Sequence, residues 1–183
     1  PHLGQGPIPT ESCVSEDHYR REIEQIFKTS WLYVAREEEI AEPGSYKVKR
    51  LAFADCSVIL MRSKDGTVRG FYNICSHRGN TVVTETGEET FGHSKAAVLS
   101  CRFHGWVYGA DGGLIQVPEE ERFYDCFEKA ENGLTAVHTE VWEGFVFVNL
   151  APKPAQNLGD FLGDYGAHMG GFPYSDLTHS YKY

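Results

Sequence analysis

The sequence predicts a mostly β domain, a small antiparallel barrel or sandwich, with one helix before it. Two observations support this fold class. Short apolar or alternating runs recur along the chain, separated by turn signals rich in glycine, proline, asparagine and aspartate. One segment near the N-terminus instead repeats apolar residues with the period of a helix. With 183 residues, of which 41% are hydrophobic, the chain is long enough to bury a sizeable core.

The N-terminal helix is predicted to begin after Ser15 and to end near Thr29. Ser15 is a suitable N-cap, and the two acidic residues that follow it suit the positive end of a helix. Four apolar side chains lie at helical spacing, and we expect them to form one buried face: Tyr19, Ile23, Ile26 and Phe27. Residues 1–14 contain three prolines and two glycines and should form an irregular arm.

Strands are predicted over residues 31–35, 45–51, 57–62, 67–73, 96–100, 107–108, 134–142 and 145–150. Turn signals join several of them, for example at residues 43–44, 64–66, 111–113 and 143–144. Two of the strands end just before a cysteine, one before Cys75 and the other before Cys101. The fold should therefore present two adjacent loops at one end of the barrel.

Each of these loops carries one cysteine and one histidine. The first motif is Cys75-x-His77, and the second, Cys101-x-x-His104, follows after 23 intervening residues. Two Cys and two His can hold a tetrahedral zinc ion, or a [2Fe-2S] cluster with two Cys on one iron and two His on the other. Zinc fingers usually pair Cys with Cys and His with His in each short motif, so the mixed motifs favour the cluster.

The motifs resemble the cluster-binding boxes of Rieske proteins. Residues 101–108, followed by the Asp-Gly-Gly of residues 111–113, look like the large (alpha) subunits of Rieske non-haem iron oxygenases. These are the aromatic-ring-hydroxylating dioxygenases and related monooxygenases. Residues 31–37 and 43–46 are also similar, so the resemblance extends from residue 31 to residue 150. The family's gap between boxes is usually shorter, and residues 84–95 therefore look like an insertion.

The resemblance implies a Rieske-type barrel that carries a cluster-binding subdomain and a [2Fe-2S] cofactor on Cys75, His77, Cys101 and His104. High-potential respiratory Rieske proteins add a disulfide between the boxes and a serine that donates to a cluster sulfur. Here the corresponding positions are occupied as follows: Asn80 and Phe103 replace the disulfide cysteines, and Trp106 replaces the serine. The potential is therefore expected near the low end of the Rieske range, which begins at about −150 mV.

The same resemblance divides the chain into three parts: an arm and helix over residues 1–30, the Rieske [2Fe-2S] domain over 31–150, and a connector toward a catalytic domain over 151–183. In the family that further domain holds a mononuclear Fe(II) on a closely spaced His pair and a carboxylate. After the second box this chain has only His138, His168 and His179, none of them three to five residues apart. No catalytic residue is therefore expected in this stretch, and His93 in the apparent insertion is expected to be solvated.

By resemblance, the chain is the electron-transfer domain of an oxidoreductase. A ferredoxin or flavoprotein reductase would supply the electron, which would pass to the iron in the catalytic domain of the same or a neighbouring alpha subunit. His104 is the implied histidine on that side, facing a bridging carboxylate. The alternative is a free-standing Rieske ferredoxin, an electron carrier that is not an enzyme. The length of the chain and the match at residues 31–46 favour the oxygenase.

Composition excludes some partners and favours a location. The net charge is −9, and residues 70–183 carry seven basic and fifteen acidic side chains, which excludes a nucleic-acid footprint and could suit a basic electron donor. No apolar run approaches the ~18 residues of a membrane span. The three remaining cysteines, Cys13, Cys56 and Cys126, do not form a regular disulfide framework, which is typical of a reducing cytoplasm.

Overall fold

The computed structural model describes residues 6–177 except residue 8, and it confirms the predicted mostly β fold. The strands are β1 Leu32–Arg36, β2 Ser45–Leu51, β3 Cys56–Arg62, β4 Val68–Tyr72, β5 Glu89–His93, β6 Val98–Ser100, β7 Val107–Gly109, β8 Leu114–Gln116, β9 Ala136–Trp142 and β10 Phe145–Asn149. The α-helices are α1 Glu11–Val14, α2 Glu16–Glu22 and α3 Leu158–Met169. A π-helical segment covers Ile23–Phe27, and short 3₁₀ turns cover Glu37–Ile40, Ala52–Ala54, Glu120–Arg122, Lys129–Glu131 and Tyr174–Asp176.

Seven strands form one curled antiparallel sheet in the order β1-β10-β9-β4-β3-β2-β5. Strand β3 lies inside this sheet and is buried on both faces, so its side chains alternate between two cores. Val58 and Leu60 pack inside the curl, whereas Ile59 and Met61 face the second sheet. This explains why the strand is apolar along its whole length and does not alternate with polar residues.

The second sheet has three antiparallel strands in the order β6-β7-β8, and it carries half of the predicted metal site. Its buried side chains pack with those of the large sheet in one core, which includes Phe71, Leu99, Tyr108 and Leu114. Ser100 pairs with Val107 at the end of the β6–β7 hairpin, so the loop between them begins at Cys101. Packing between the two sheets therefore brings this loop beside the loop that follows β4.

The N-terminal helix is present, but its predicted buried face is not. Ser15 caps α2 as expected, because its hydroxyl accepts a hydrogen bond from the backbone N–H of His18 at 3.3 Å. Ile23 is buried, but Tyr19, Ile26 and Phe27 remain 47%, 54% and 41% exposed. The prediction was therefore wrong for these three, because this part of the chain offers no surface that covers them fully.

Each predicted strand is observed with its ends shifted by at most two residues. Strands β5 and β8 and helix α3 were not predicted, and the short helix α1 lies in the arm that was expected to be irregular. The apparent insertion over residues 84–95 supplies β5, which pairs with β2 at the edge of the large sheet. Within residues 151–177, Asn157 caps α3 by accepting from the N–H of Asp160, and Leu158 packs into the protein. None of the described helices has the length and apolar character required to cross a bilayer.

Replacing Gly112 by alanine should lower the free energy of unfolding by about 2–4 kcal/mol. Gly112 lies in the turn between β7 and β8 with a φ of +82°, and an added Cβ would lie 2.3 Å from the Phe71 ring. Urea unfolding monitored by circular dichroism measures the effect. Gly66→Ala is the matched control, because Gly66 also has a φ of +82° but has open space around it. Equal losses for the two variants would show that the contact with Phe71 contributes nothing.

Candidate metal centre

The first metal-site loop follows β4 and is closed by its own backbone. The N–H of Cys75 donates to the carbonyl of Asn80 at 2.7 Å, and the N–H of Gly79 donates to the carbonyl of Cys75 at 2.9 Å. Gly79 has a φ of +71°, a left-handed conformation that glycine adopts without steric cost. The loop thereby turns back on itself directly after the Cys75-x-His77 motif.

The second loop, between β6 and β7, has the same backbone arrangement. The N–H of Cys101 donates to the carbonyl of Trp106 at 2.9 Å, and the N–H of Gly105 donates to the carbonyl of Cys101 at 2.9 Å. Gly105 has a φ of +72°. Each cysteine therefore begins a turn that is closed by the residues four and five positions after it. The glycines predicted to mark turns are required in both loops.

The structure brings the four predicted ligands together. Cys75 and Cys101 are each only 2% exposed and belong to the same core cluster. The rings of His77 and His104 meet edge to face, with their centroids 4.7 Å apart. The Nδ1 atom of His77 is buried and has no hydrogen-bond partner among the described residues. An unpaired buried nitrogen next to a pair of buried thiols is the donor set that a metal group requires.

The arrangement does not surround a single ion. Nowhere in the described part of the chain do three or more His, Cys, Asp or Glu side chains converge on one point that could hold a metal ion. A [2Fe-2S] group of the Rieske type requires only two protein ligands on each iron, so it does not need such a group of three. The separate pairing of two thiols and two imidazoles is therefore compatible with a binuclear group.

The electrostatic setting favours neutral imidazole and penalises free thiolate. Burial lowers the pKa of His77, and the neighbouring His104 and Arg78 lower it further, so this ring is neutral and able to bind metal at pH 7. Burial raises the pKa of the Cys75 thiol, an effect that the Tyr108 hydroxyl partly offsets. A thiolate at Cys75 therefore needs compensating positive charge, which iron would supply.

Aromatic rings cover the two histidines unequally. Trp106, 3% exposed, stacks on His77 with centroids 4.7 Å apart and the planes at 11°. Phe103 lies against His104 at 4.0 Å but is itself 58% exposed, and His104 is exposed. Phe127 also packs against Trp106, with its ring tilted by 63° and the centroids 5.7 Å apart. Trp106 is thus buried in the core and covers one face of His77, and His104 is the histidine that faces outward.

Tyr108 makes a hydrogen bond at the site that the motifs did not reveal. Its side chain is fully buried, and its hydroxyl lies 3.0 Å from the Cys75 sulfur. The hydroxyl accepts from the backbone N–H of Ser76, whose own hydroxyl donates to the carbonyl of Asn132 at 2.6 Å. The Tyr108 proton is thus left to donate to Cys75, or to Ser76 Oγ at 3.0 Å. Burial raises the pKa of Tyr108, which keeps that proton in place at neutral pH.

This contact revises one expectation about the sulfur atoms. Trp106 indeed offers no hydroxyl, but Tyr108 supplies one to the sulfur of Cys75, a predicted ligand. The amide of Asn80 also lies 4.0 Å from the Cys101 sulfur, at the limit for a hydrogen bond to sulfur. The sequence signal available was a tyrosine two residues after Trp106, on a strand that leaves the second box.

Outside the two motifs, the described histidines do not join this group of side chains. His93 is exposed at the end of β5, near the carbonyl of Pro43, and His138 contacts the carbonyl of Pro152. His168 lies in α3, and His179 falls outside the described residues. The three further cysteines, Cys13, Cys56 and Cys126, are unpaired. His93 is exposed, as expected for a solvated side chain, and His138 and His168 are exposed as well.

Comparison with known proteins gives a consistent result. Residues 30–138 match the family described as Rieske [2Fe-2S] domain. The large oxygenase component of the naphthalene 1,2-dioxygenase system of Pseudomonas aeruginosa is 35% identical over 84% of this chain and 33% of its own length. The carnitine monooxygenase oxygenase subunit of Escherichia coli (strain K12) is 31% identical over 88% of this chain and 41% of its own length.

Solved structures show the same relationship. Naphthalene 1,2-dioxygenase from Rhodococcus sp. matches with a TM-score of 0.78 and 29% identity, covering 88% of this chain and 35% of that one. The apo form of a quaternary ammonium Rieske monooxygenase also has a TM-score of 0.78, at 28% identity, over 88% of this chain and 44% of that one. The chain thus spans less than half the length of these relatives.

Proposed function

The chain belongs to the Rieske [2Fe-2S] domain family, and from that premise we propose that Cys75 and Cys101 bind one iron of the cluster while His77 and His104 bind the other. The unpaired Nδ1 of His77 beside two buried thiols carries this assignment. When bound, the cluster would take up and release one electron at a reduction potential typical of Rieske clusters. Membership of this family does not support the zinc alternative.

The surrounding residues have distinct tasks at this site. Both thiols must lose their protons, and the Tyr108 hydroxyl then donates to the Cys75 thiolate. Trp106 covers one face of the half-buried His77, whereas the exposed His104 presents its ring to a partner. His104 is therefore the more accessible of the two histidines and the shorter route for an electron.

We further propose that the domain serves the large subunit of an oxygenase and passes electrons from a ferredoxin or flavoprotein reductase to a mononuclear non-haem iron. Support comes from a large dioxygenase component, a dioxygenase alpha subunit and a monooxygenase oxygenase subunit, whose matches extend beyond the domain into the connector. The parts proposed are the arm and helix over 1–30, the domain over 31–150 and the connector over 151–183. No similarity found favours a free-standing ferredoxin.

We place the substrate-binding site in the catalytic domain, outside this chain. Similarity to naphthalene and benzene dioxygenases supports aromatic ring hydroxylation, whereas the carnitine monooxygenase subunit matches to a similar extent. We favour an aromatic substrate because most of these relatives act on one by name. We place the protein in the cytoplasm, since free cysteines and an iron–sulfur cluster suit a reducing compartment.

Metal and sulfide analysis tests the proposed site. The purified protein should be red-brown and contain about two irons and about two acid-labile sulfides per chain, the content of a [2Fe-2S] centre. Dithionite should bleach the visible bands by one electron per chain. A colourless protein with one tightly bound zinc would contradict the proposal.

Replacing Tyr108 by phenylalanine should lower the midpoint potential. The lost hydrogen bond stabilises negative charge on Cys75, and this charge is greater when the cluster is reduced. Each ~1.4 kcal/mol of differential stabilisation corresponds to about 60 mV for one electron. Redox titration measures the shift, and Tyr72→Phe is the control, because Tyr72 packs against the other core. An unchanged potential in Tyr108→Phe would show that its hydroxyl does not donate to the bound sulfur.

A further inference from the structure

The two metal-site loops share one internal pattern but are closed differently at their bases. A shift of 26 residues places Cys75 on Cys101 and Gly79 on Gly105. The same two backbone hydrogen bonds occur in each loop. This equivalence extends two residues before the cysteine, where Asn73 corresponds to Leu99. The comparison therefore shows what each loop uses to hold its two ends together.

The second loop is closed by a strand ladder. Ser100 pairs with Val107, and Leu99 pairs with Tyr108, in the β6–β7 hairpin. Backbone hydrogen bonds between antiparallel strands thus fix both ends of the loop that contains Cys101. In the first loop the position equivalent to Tyr108 is Val82, and residues 82–83 belong to no strand.

The side chain of Asn73 occupies the place of the missing ladder. Its Oδ1 accepts from the backbone N–H groups of Val82 and Val83 at 3.1 and 2.9 Å, and its Nδ2 donates to the carbonyl of Val83 at 2.8 Å. The side chain is only 1% exposed. An Asn amide carries the same donor and acceptor groups as a peptide, so it can replace a strand partner.

The backbone of Asn73 is anchored independently of its side chain. Asn73 directly follows β4, and its backbone N–H donates to the carbonyl of Ser57 in β3 at 2.9 Å. Val82 packs in the same core cluster as Cys75 and Cys101. A loop with one end fixed to the sheet and the other end bound to Asn73 holds Cys75 in one place.

We propose that Asn73 is a positioning residue for Cys75: its side chain clamps both ends of the first loop and thereby sets the geometry of the ligand thiol. The proposal rests on the assignment of Cys75 as a ligand. It gives Asn73 a role through the loop and not through contact with the metal group.

The chain offers a matched control in Asn149. This residue is also 1% exposed and also binds backbone groups, donating to the carbonyl of Thr29 at 2.9 Å and accepting from the N–H of Ala151 at 2.9 Å. It lies at the end of β10 and joins the connector to the end of the N-terminal helix. Loss of its side-chain bonds should weaken the fold without moving Cys75.

The test compares Asn73→Leu, Asn73→Asp and Asn149→Leu in the cluster-loaded protein. Leucine is close to asparagine in size and removes the side-chain bonds, so Asn73→Leu should release iron to a chelator about tenfold faster than wild type, the factor expected when buried N–H groups lose their partner. The electron paramagnetic resonance signal of the reduced Asn73→Leu protein should be broader than that of the reduced wild type. Asn73→Asp keeps the acceptor and should be intermediate. Asn149→Leu should unfold at lower urea but release iron at the wild-type rate.

Equal rates of iron release in Asn73→Leu and Asn149→Leu would overturn the proposal, because Asn73 would then be merely structural. If Asn73→Leu does not fold, hydrogen exchange of the wild-type protein decides instead. Slow exchange at the Val82 and Val83 amides supports the clamp, and fast exchange overturns it. Failure of the ligand assignment is a separate result, since wild type itself would then contain no iron or sulfide.

Discussion

Replacing Cys75 or Cys101 by serine should leave a folded protein almost free of iron and sulfide. A serine hydroxyl stays protonated at neutral pH and cannot replace the thiolates that hold such clusters. Both positions are buried in the core shared by the two sheets, and serine is close to cysteine in size. We expect iron to fall from about two per chain to under roughly one-tenth of that, as for any centre that loses a protein ligand.

Cys56→Ser and Cys126→Ser are the controls for this loss. Both are free cysteines, one half-buried and one exposed, and neither lies in a metal-site loop. They should retain the iron, the sulfide and the visible absorption of the wild-type protein. Circular dichroism establishes that all four variants are folded. Full cluster content in Cys75→Ser would remove Cys75 from the ligand set.

Replacing His104 by cysteine should produce the second largest effect, a fall in midpoint potential of hundreds of millivolts. The change substitutes an anionic thiolate for a neutral imidazole, and the potential should move from the Rieske range toward about −400 mV, the value for plant-type ferredoxins. His104 is exposed, so the substitution disturbs little of the core. Protein-film voltammetry measures the potential.

The pH dependence provides an internal check on the same variant. In the wild type, reduction makes the free ring nitrogens of the bound histidines harder to deprotonate, so reduction is coupled to proton uptake. The potential should therefore fall as pH rises through the oxidised-state pKa values, by up to about 59 mV per pH unit for each proton. His104→Cys leaves one titrating ring and should show a weaker fall. His93→Cys, changed at an exposed site on β5, should behave as wild type. A potential that does not depend on pH in wild type would show that the histidines are not ligands with free ring nitrogens.

The four candidate ligands could be proposed from the sequence because each motif is local. Two mixed Cys/His motifs with a glycine after each determine the turns that present the side chains. Tyr108 could not be assigned in this way, because its contact with Cys75 joins residues 33 positions apart. Only the packing of the small sheet against the large one brings that hydroxyl to the sulfur.

The helices show the opposite limitation. The spacing of Tyr19, Ile26 and Phe27 correctly predicted a helix, but periodicity does not reveal whether the apolar face is covered. Helix α3 was not predicted, because its sequence contains several glycines. Asn157 caps its first turn, and Leu158 is buried in the protein. Tertiary contacts there compensate for a sequence of low helix propensity.

Mössbauer spectroscopy of the ⁵⁷Fe-loaded protein tests the central claim most directly. Two thiolates on one iron and two imidazoles on the other make the two irons chemically different. The oxidised protein should therefore give two doublets of equal area, and one-electron reduction should convert only one of them, that of the histidine-bound iron, to the ferrous form. A single doublet from two equivalent irons, or a protein that takes up no iron, would contradict the assignment of Cys75, His77, Cys101 and His104.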